Sequence, residues 1–232
     1  MSEFHVLPPW EQLRCQVLWA QLGEIKGKRI LDFGSGIGVT ADHFAKENEV
    51  IAVEPALDSI EKRWQHHSYC QIRGSVEALR EMPDASFDWI FCHNVLEYAL
   101  DRENILQEFS RLLKGEGTLS VLKHHRPGRV MQMAVLLDDF EKAHALLDGQ
   151  DGSAKEYGAI SYYENHDIEC WCPELQISDI QGICAFWRLQ QKQEKHPDPE
   201  WQKKMTALDL RVSRMEPYRS IAFFHHLLIR KK

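Results

Sequence analysis

The sequence predicts an α/β fold in which helices cover both faces of a mostly parallel sheet. Three observations carry this expectation. Short apolar strand patterns alternate with helical patterns through the first 125 residues, a glycine-rich turn follows the first strand, and the connections between elements are short. Alternation of this kind forces right-handed crossovers and a parallel sheet, with ligands bound at the carboxyl ends of its strands.

The elements follow in order. A proline start and apolar residues at helical spacing (Leu13, Val17, Leu18, Leu22) predict a first helix in "PPWEQLRCQVLWAQLGEI". "RILDF" (29–33) is a strand, followed by the glycine turn and a helix from Val39 to Lys46. "EVIAVEP" (49–55) is a second strand and "LDSIEKRW" a second crossover helix, with "CQIRG" a short third strand. "FDWIFCHNV" (87–95), a helix over "RENILQEFSRLL" (102–113) and "GTLSVLKH" (117–124) complete a five-strand run. Beyond it, residues 130–150 read as one extra helix and "HDIECWC" as another. "LQISDIQGICAF" is a strand, 187–215 a polar helical segment, and "SIAFFHHLLI" the closing strand of a seven-stranded sheet. The expected organisation is one domain over 1–232. Residues 1–125 form its cofactor-binding half, and 126–170 and 187–215 are helical insertions that cap the substrate side.

Composition excludes several classes. A chain 44% hydrophobic and 27% charged has an ordinary globular balance, and no apolar run approaches the roughly 18 residues of a membrane span. "MSEFHVLPPW" is acidic and broken by proline, unlike a signal peptide, and the six cysteines are scattered without a C-x-x-C pair. The expectation is a cytoplasmic protein with reduced thiols and no metal site. Net charge is −7 but unevenly distributed. Residues 1–186 carry 17 Lys and Arg against 30 Asp and Glu, whereas residues 187–232 carry 11 against 5. Such an asymmetry fits either an anionic partner or a solvated helix face.

The chemistry lies in "ILDFGSGIGV" (30–39), where Asp32 precedes Gly34, Gly36 and Gly38. Glycines allow positive φ and close approach of backbone to ligand. A dinucleotide fingerprint wants glycine at 39, and Val39 stands there. Glu54 ends the second strand, where an acid accepts from both ribose hydroxyls of a nucleoside. Asp32 suits a ligand carrying positive charge better than a pyrophosphate. S-adenosylmethionine, with its ammonium and sulfonium, is such a ligand.

"ILDFGSGIGV", "VIAVEP", "FDWIFCHNVLEY" and "LQEFSRLLKGEGTLSVL" together resemble the class I S-adenosylmethionine-dependent methyltransferases of the type-11-like kind. The resemblance implies a Rossmann-like seven-stranded sheet and S-adenosylmethionine as cofactor, released as S-adenosylhomocysteine. A narrower resemblance rests on "QLRCQVLW" (12–19), "HNVLEY" (93–98) and "RVSRMEPYRSIAFFHHLLIRK" (211–231). These are similar to the tRNA 5-carboxymethoxyuridine carboxyl methyltransferases, which methylate the oxyacetic carboxylate of the wobble uridine. The "FHVLPPWE" lead-in and residues 126–165 depart from that family's pattern. Carried over residue by residue, the resemblance places cofactor contacts on Arg14, Gly34 and Ser35, Glu54, Ser75 and Val76, and His93. Asp32, Gly36, Pro55, Glu77 and Asn94 join them as neighbours. Arg14 is expected to form a salt link to the methionine carboxylate.

On the acceptor side the candidates are Arg211, Arg214, Tyr218 and His125. Arg211 and Arg214, three apart, are expected to share a helix face and grip a carboxylate, unless Glu216 pairs with one of them. Tyr218 is expected at the entry to the last strand. A carboxylate acceptor is already ionised at neutral pH, so positioning suffices and no catalytic base is required. The partner is then either a tRNA anticodon loop or a small-molecule acid. A metabolite methyltransferase acting on an acid or quinone precursor would instead use an apolar pocket with His93 or His125 as base. A cofactor-binding sensor and a nicotinamide dehydrogenase are the remaining readings of the glycine turn.

Overall fold

A computed structural model describes residues 7–154 and 158–232. The N-terminal stretch read above as unlike a signal peptide falls largely on residues 1–6, and part of the loop near 150 on 155–157. Both lie outside the described residues.

Seven strands form one sheet in the order β3-β2-β1-β4-β5-β9-β8. They are β1 (Arg29–Phe33), β2 (Glu49–Glu54), β3 (Cys70–Arg73), β4 (Phe87–His93), β5 (Leu113–His124), β8 (Leu175–Ile183) and β9 (Phe224–Lys231). β1 pairs in parallel with β2 and β4, β2 with β3, and β4 with β5. The order reverses between β1 and β4, which is the switch point where ligands enter such sheets. A separate hairpin joins β6 (Gly152–Ala154) to β7 (Gly158–Ile160).

The chain divides into two compact units. A sheet unit holds residues 25–124, 151–180 and 226–232, and a helical unit holds the residues up to Glu24 with 125–150 and 181–225. In the sheet unit the central strands are apolar on both faces, as a doubly covered parallel sheet requires. Leu31, Phe33, Phe87, Ile90, Leu119 and Val121 pack in one core with Phe109 from α5 (Arg102–Leu112). Asp101 starts α5 by accepting from Asn104 N–H at 3.2 Å. Helices α2 (Val39–Ala45), α3 (Leu57–Glu61), α4 (Val76–Leu79) and α8 (Asp167–Trp171) complete this unit.

In the helical unit, α1 (Pro9–Leu22) starts on a proline and stops at Gly23, whose φ of 70° an L side chain resists. It packs on α9 (Pro199–Val212), where Gln202 Nε2 donates to Pro9 O at 3.2 Å. The other helices are α6 (Arg126–Met131), α7 (Phe140–Leu147) and α10 (Tyr218–Ile221). Gly128 of α6 lies so close to Ala222 that an added Cβ would stand 2.2 Å from its carbonyl oxygen.

Several elements differ from the sequence expectation. The single helix over 130–150 is broken into α6, a π-helical turn over 132–136, and α7. The break falls where Asp138 takes φ 53° and the Asp139 side chain caps α7 by accepting from Lys142 N–H. Segment 187–215 begins as two 3-10 turns, because Pro197 and Pro199 delay the α-helix until Pro199. The last strand opens at Phe224, so Tyr218 starts α10 instead of entering β9. α9 ends at Val212, which leaves Arg214 in the following turn, off the helix face expected to hold it with Arg211.

Candidate cofactor site

The carboxyl ends of β1, β2, β3 and β4 bring most of the expected cofactor residues to one edge of the sheet unit. Parallel register sets Asp32 opposite Ala52 on one side and Phe91 on the other, two residues before His93. After β1 the chain turns through Gly34 (φ 75°), Gly36 (φ 53°) and Gly38 (φ 72°), a left-handed run only glycine adopts without strain. Gly34 and Ser35 donate their N–H groups to Val53 O at 2.8 and 3.1 Å, tying the turn to the end of β2. Glu54 fixes it further, accepting from Gly36 N–H at 2.8 Å and from Ala56 N–H at 2.9 Å. Beside it, Gly74 N–H donates to Glu54 O at 3.2 Å, and the chain continues through Ser75, Val76 and Glu77. Glu77 accepts from Ser75 N–H at 3.0 Å, and Pro55 lies exposed after Glu54. A loop closes over the turn from outside. Trp64 N–H donates to Ile37 O at 2.8 Å, and the Tyr69 hydroxyl sits where a Cβ on Gly38 would stand.

The polar atoms at this edge fit a cationic ligand. Asp32 is 3% exposed, and its Oδ2 has no hydrogen-bond partner among the described residues. Burial pushes its carboxyl up to about 7. Ser35 Oγ and Asn94 Oδ1 are likewise buried and unpartnered. Asn94 is held at φ 56° with its N–H on Leu122 O at 2.7 Å, a left-handed conformation that turns the chain sharply out of β4. A Cβ on Gly36 would meet nothing within 4 Å, so open room lies over the turn that follows Asp32. Two bare oxygen acceptors and a hydroxyl at this edge ask for a ligand that donates hydrogen bonds and carries positive charge. S-adenosylmethionine meets that demand, whereas a pyrophosphate would place negative charge beside Asp32.

His93 is tied into the sheet instead of standing free as a base. Its Nε2 lies 2.8 Å from Ser120 Oγ, which lies 2.9 Å from His226 Nε2, and its ring stacks on Phe91 at 5.3 Å. Residues outside the expected set add a second charged group to this edge. Glu97, in "HNVLEY", is 2% exposed, and its Oε1 accepts from His124 N–H at 3.2 Å. Burial pushes its carboxyl up to about 7 and brings the buried Lys123 amine down to about 8. Lys123 donates to Tyr163 O and to Asn165 Oδ1, over the Tyr163 ring at 3.9 Å. The signal available in sequence was a lone charge inside each of two apolar runs, "VLEY" and "SVLKH".

The remaining candidates belong to the helical unit. Arg14 Nη2 pairs with Glu11 Oε1 at 3.0 Å, and its Nε has no partner among the described residues. His125 stacks on His225 at 3.7 Å with its Nδ1 3.1 Å from Ala222 O. Tyr218 packs on Phe186 at 5.6 Å beside Ala185, Val212 and Ala222. Arg211 and Arg214 are exposed. Glu216 pairs with Arg219, at 2.7 Å.

A strand order with its switch point between β1 and β4, a triple-glycine turn and an unpartnered acid beneath it define a nucleoside-binding α/β enzyme of the S-adenosylmethionine class. The chain belongs to the S-adenosylmethionine-dependent methyltransferases, with S-adenosylmethionine as methyl donor. A family model described as a methyltransferase domain matches residues 31–121. The ubiquinone biosynthesis O-methyltransferase of Paracidovorax citrulli is 30% identical over 192 residues, spanning 78% of this chain and 77% of that protein. The tRNA 5-carboxymethoxyuridine methyltransferase of Escherichia coli K12 is 24% identical over 237 residues, spanning 95% and 88%. Among solved structures, an S-adenosylmethionine-dependent methyltransferase from Archaeoglobus fulgidus shares the fold with TM-score 0.61, at 13% identity over 96% of this chain and 94% of that one. One from Mesorhizobium loti does so with TM-score 0.58, at 16% identity over 96% and 97%. The donor expected from "ILDFGSGIGV" and the Rossmann-like sheet are thereby established, and the dehydrogenase and sensor readings fall away. Among the described residues, no helix is long and apolar enough to cross a membrane.

Proposed function

We propose that this enzyme methylates a carboxylate oxygen on a modified wobble uridine of tRNA, in the cytoplasm. The observation that carries the reading is the state of the acids in the C-terminal basic segment. Of its five, Asp209 is buried and Glu216 is held by Arg219, against eleven Lys and Arg in the same segment, with Arg211 and Arg214 exposed among them. The similarity to the tRNA enzyme, which spans 95% of the chain, supports the same choice.

The donor supplies a methyl group on a sulfonium. Asp32 and Asn94 accept hydrogen bonds from the methionine ammonium, Glu54 from the ribose, and the Gly34–Gly36 turn gives the room. Ser75, Val76 and Glu77 border the adenine, and Arg14 holds the methionine carboxylate. Arg214, assisted by Arg211 and Tyr218, holds the acceptor carboxylate by its distal oxygen, so that the other oxygen stays free to attack. The attacking oxygen is ionised at neutral pH, so no residue removes a proton. The chain contributes alignment and removal of water from the nucleophile.

A second reading, transfer to a small-molecule acid or quinone precursor, is favoured by the 30% identity to the ubiquinone enzyme. Methyl-labelled S-adenosylmethionine with total tRNA and with a metabolite extract separates the two. Label is expected in tRNA, in a form that mild alkali releases as an ester yields methanol. Label confined to small molecules, alkali-labile on an acid or alkali-stable on a quinone precursor, would establish the second reading. Within the first, Arg214→Ala is expected to lower kcat/KM about 50-fold, the loss of a charge-assisted hydrogen-bonded pair.

A further inference from the structure

We infer that the exposed face of α9, with the segment leading into it and Trp10, is a docking surface for single-stranded RNA. This rests on the tRNA reading above and adds where the acceptor's unpaired loop is held. Along α9 the buried positions are Gln202, Asp209 and Val212, and the opposite side exposes Lys203, Lys204, Ala207, Leu208 and Arg211. Lys195 is exposed at the end of the preceding 3-10 turn and Lys192 just before it. None of these five cations forms an ion pair among the described residues. Local acids leave the face positive. Asp209 points inward, accepting from Cys184 and Ala185 N–H groups, so the exposed acids that offset the five cations are three, Glu194, Glu200 and the helix-capping Asp198.

The cations are interleaved with aromatic rings. His196 lies against Trp187 at 4.0 Å and Trp201 at 5.1 Å, and Trp187 meets Trp201 at 5.1 Å. Gln202 joins the parts, donating to His196 O at 3.0 Å and to Pro9 O at 3.2 Å, which sets Trp10 beside the first turns of α9. Trp10 is 37% exposed, with the Arg188 guanidinium 4.6 Å from its ring centre. A half-exposed indole backed by a cation, among unpaired lysines, has the chemistry of a platform that stacks one unpaired base and tracks a phosphate backbone. A small-molecule acceptor makes no use of it.

The test uses the full chain and a fluorescein-labelled 17-nucleotide anticodon stem-loop, with affinity measured from 25 to 300 mM NaCl. The wild type is expected to bind with a steep negative slope of log affinity on log salt. Each phosphate contact on a single strand contributes about 0.7 to that slope. Lys203→Gln/Lys204→Gln is therefore expected to reduce its magnitude by about 1.4. Trp10→Ala is expected to weaken binding about tenfold at every salt concentration, as loss of base stacking does. Unchanged calorimetric affinity for S-adenosylmethionine in each variant shows that it is folded. RNA binding by the wild type with an unchanged slope in the double variant overturns the surface and leaves the tRNA reading intact. Binding of poly-glutamate as tight as RNA, indifferent to Trp10→Ala, overturns it in favour of an acidic protein. A wild type that binds no RNA and labels only small molecules overturns both.

Discussion

Each of the two compact units buries an aspartate almost completely, and the two aspartates do opposite things. In the helical unit Asp209, 1% exposed, is satisfied by the backbone N–H groups of Cys184 and Ala185. In the sheet unit Asp32, 3% exposed, keeps one carboxylate oxygen bare. Burial raises both, Asp209 to about 6 and Asp32 to about 7. A buried charge with all its partners in the chain is a fastening, whereas one missing a partner is waiting for a ligand. The same contrast separates Asp198 and Asp139, which cap helices, from Glu97, whose second oxygen is also unpartnered.

The largest expected effect tests the fastening. Asp209→Ala leaves two buried N–H groups without acceptors, at about 1–3 kcal/mol each. Stability is expected to fall by about 3 kcal/mol, on the order of 10 °C in Tm for a chain of this size, while the folded fraction keeps its affinity for S-adenosylmethionine. Scanning calorimetry followed by titration reads both quantities. Lost affinity in well-folded protein would dissolve the contrast.

Asp32→Asn should do the reverse. The amide keeps the shape but not the charge, and affinity for S-adenosylmethionine is expected to fall about 50-fold. Thermal stability without ligand should hold or rise. The sign follows from the raised acid: unfolded Asp32 ionises near pH 4, the folded one near 7. Stability therefore falls as pH rises from about 4 to about 7 and is level above. A cationic ligand binds the ionised form, so wild-type affinity is expected to increase about eightfold from pH 6 to pH 7.5, with proton release, and Asp32→Asn should flatten the profile. A flat wild-type profile would show that Asp32 is already ionised and partnered.

This difference between the units also explains what could be read in advance. The sheet unit was legible because its code is local. Alternating apolar runs give strands buried on both faces, and Asp32, the glycines and Glu54 are fixed by strand ends a few residues away. The helical unit depends on distant partners. Arg211 and Arg214 have helical spacing, yet α9 stops at Val212. The helix expected over 130–150 breaks because Asp138 and Asp139 prefer a turn and a cap to a helix interior. Glu216 pairs with Arg219, three residues on, because the chain after α9 turns into α10 there. Lys123 and Glu97 escaped notice because a lone charge in an apolar run shows its meaning only when its neighbours are known.

Two glycines sharpen the same comparison at its weakest end. Gly128 in the helical unit faces backbone, and a Cβ there collides with Ala222 O. Gly36 in the sheet unit faces nothing within 4 Å, and its only constraint is φ 53°. Gly36→Ala is therefore expected to cost about 1 kcal/mol of stability in the ligand-free protein, the penalty of a left-handed alanine. The rise in Tm that S-adenosylmethionine produces should be smaller than in the wild type, because the new methyl takes up open room over the glycine turn. A loss of several kcal/mol without ligand would mean that the space is already packed. An undiminished ligand shift would move the cofactor elsewhere along the sheet edge.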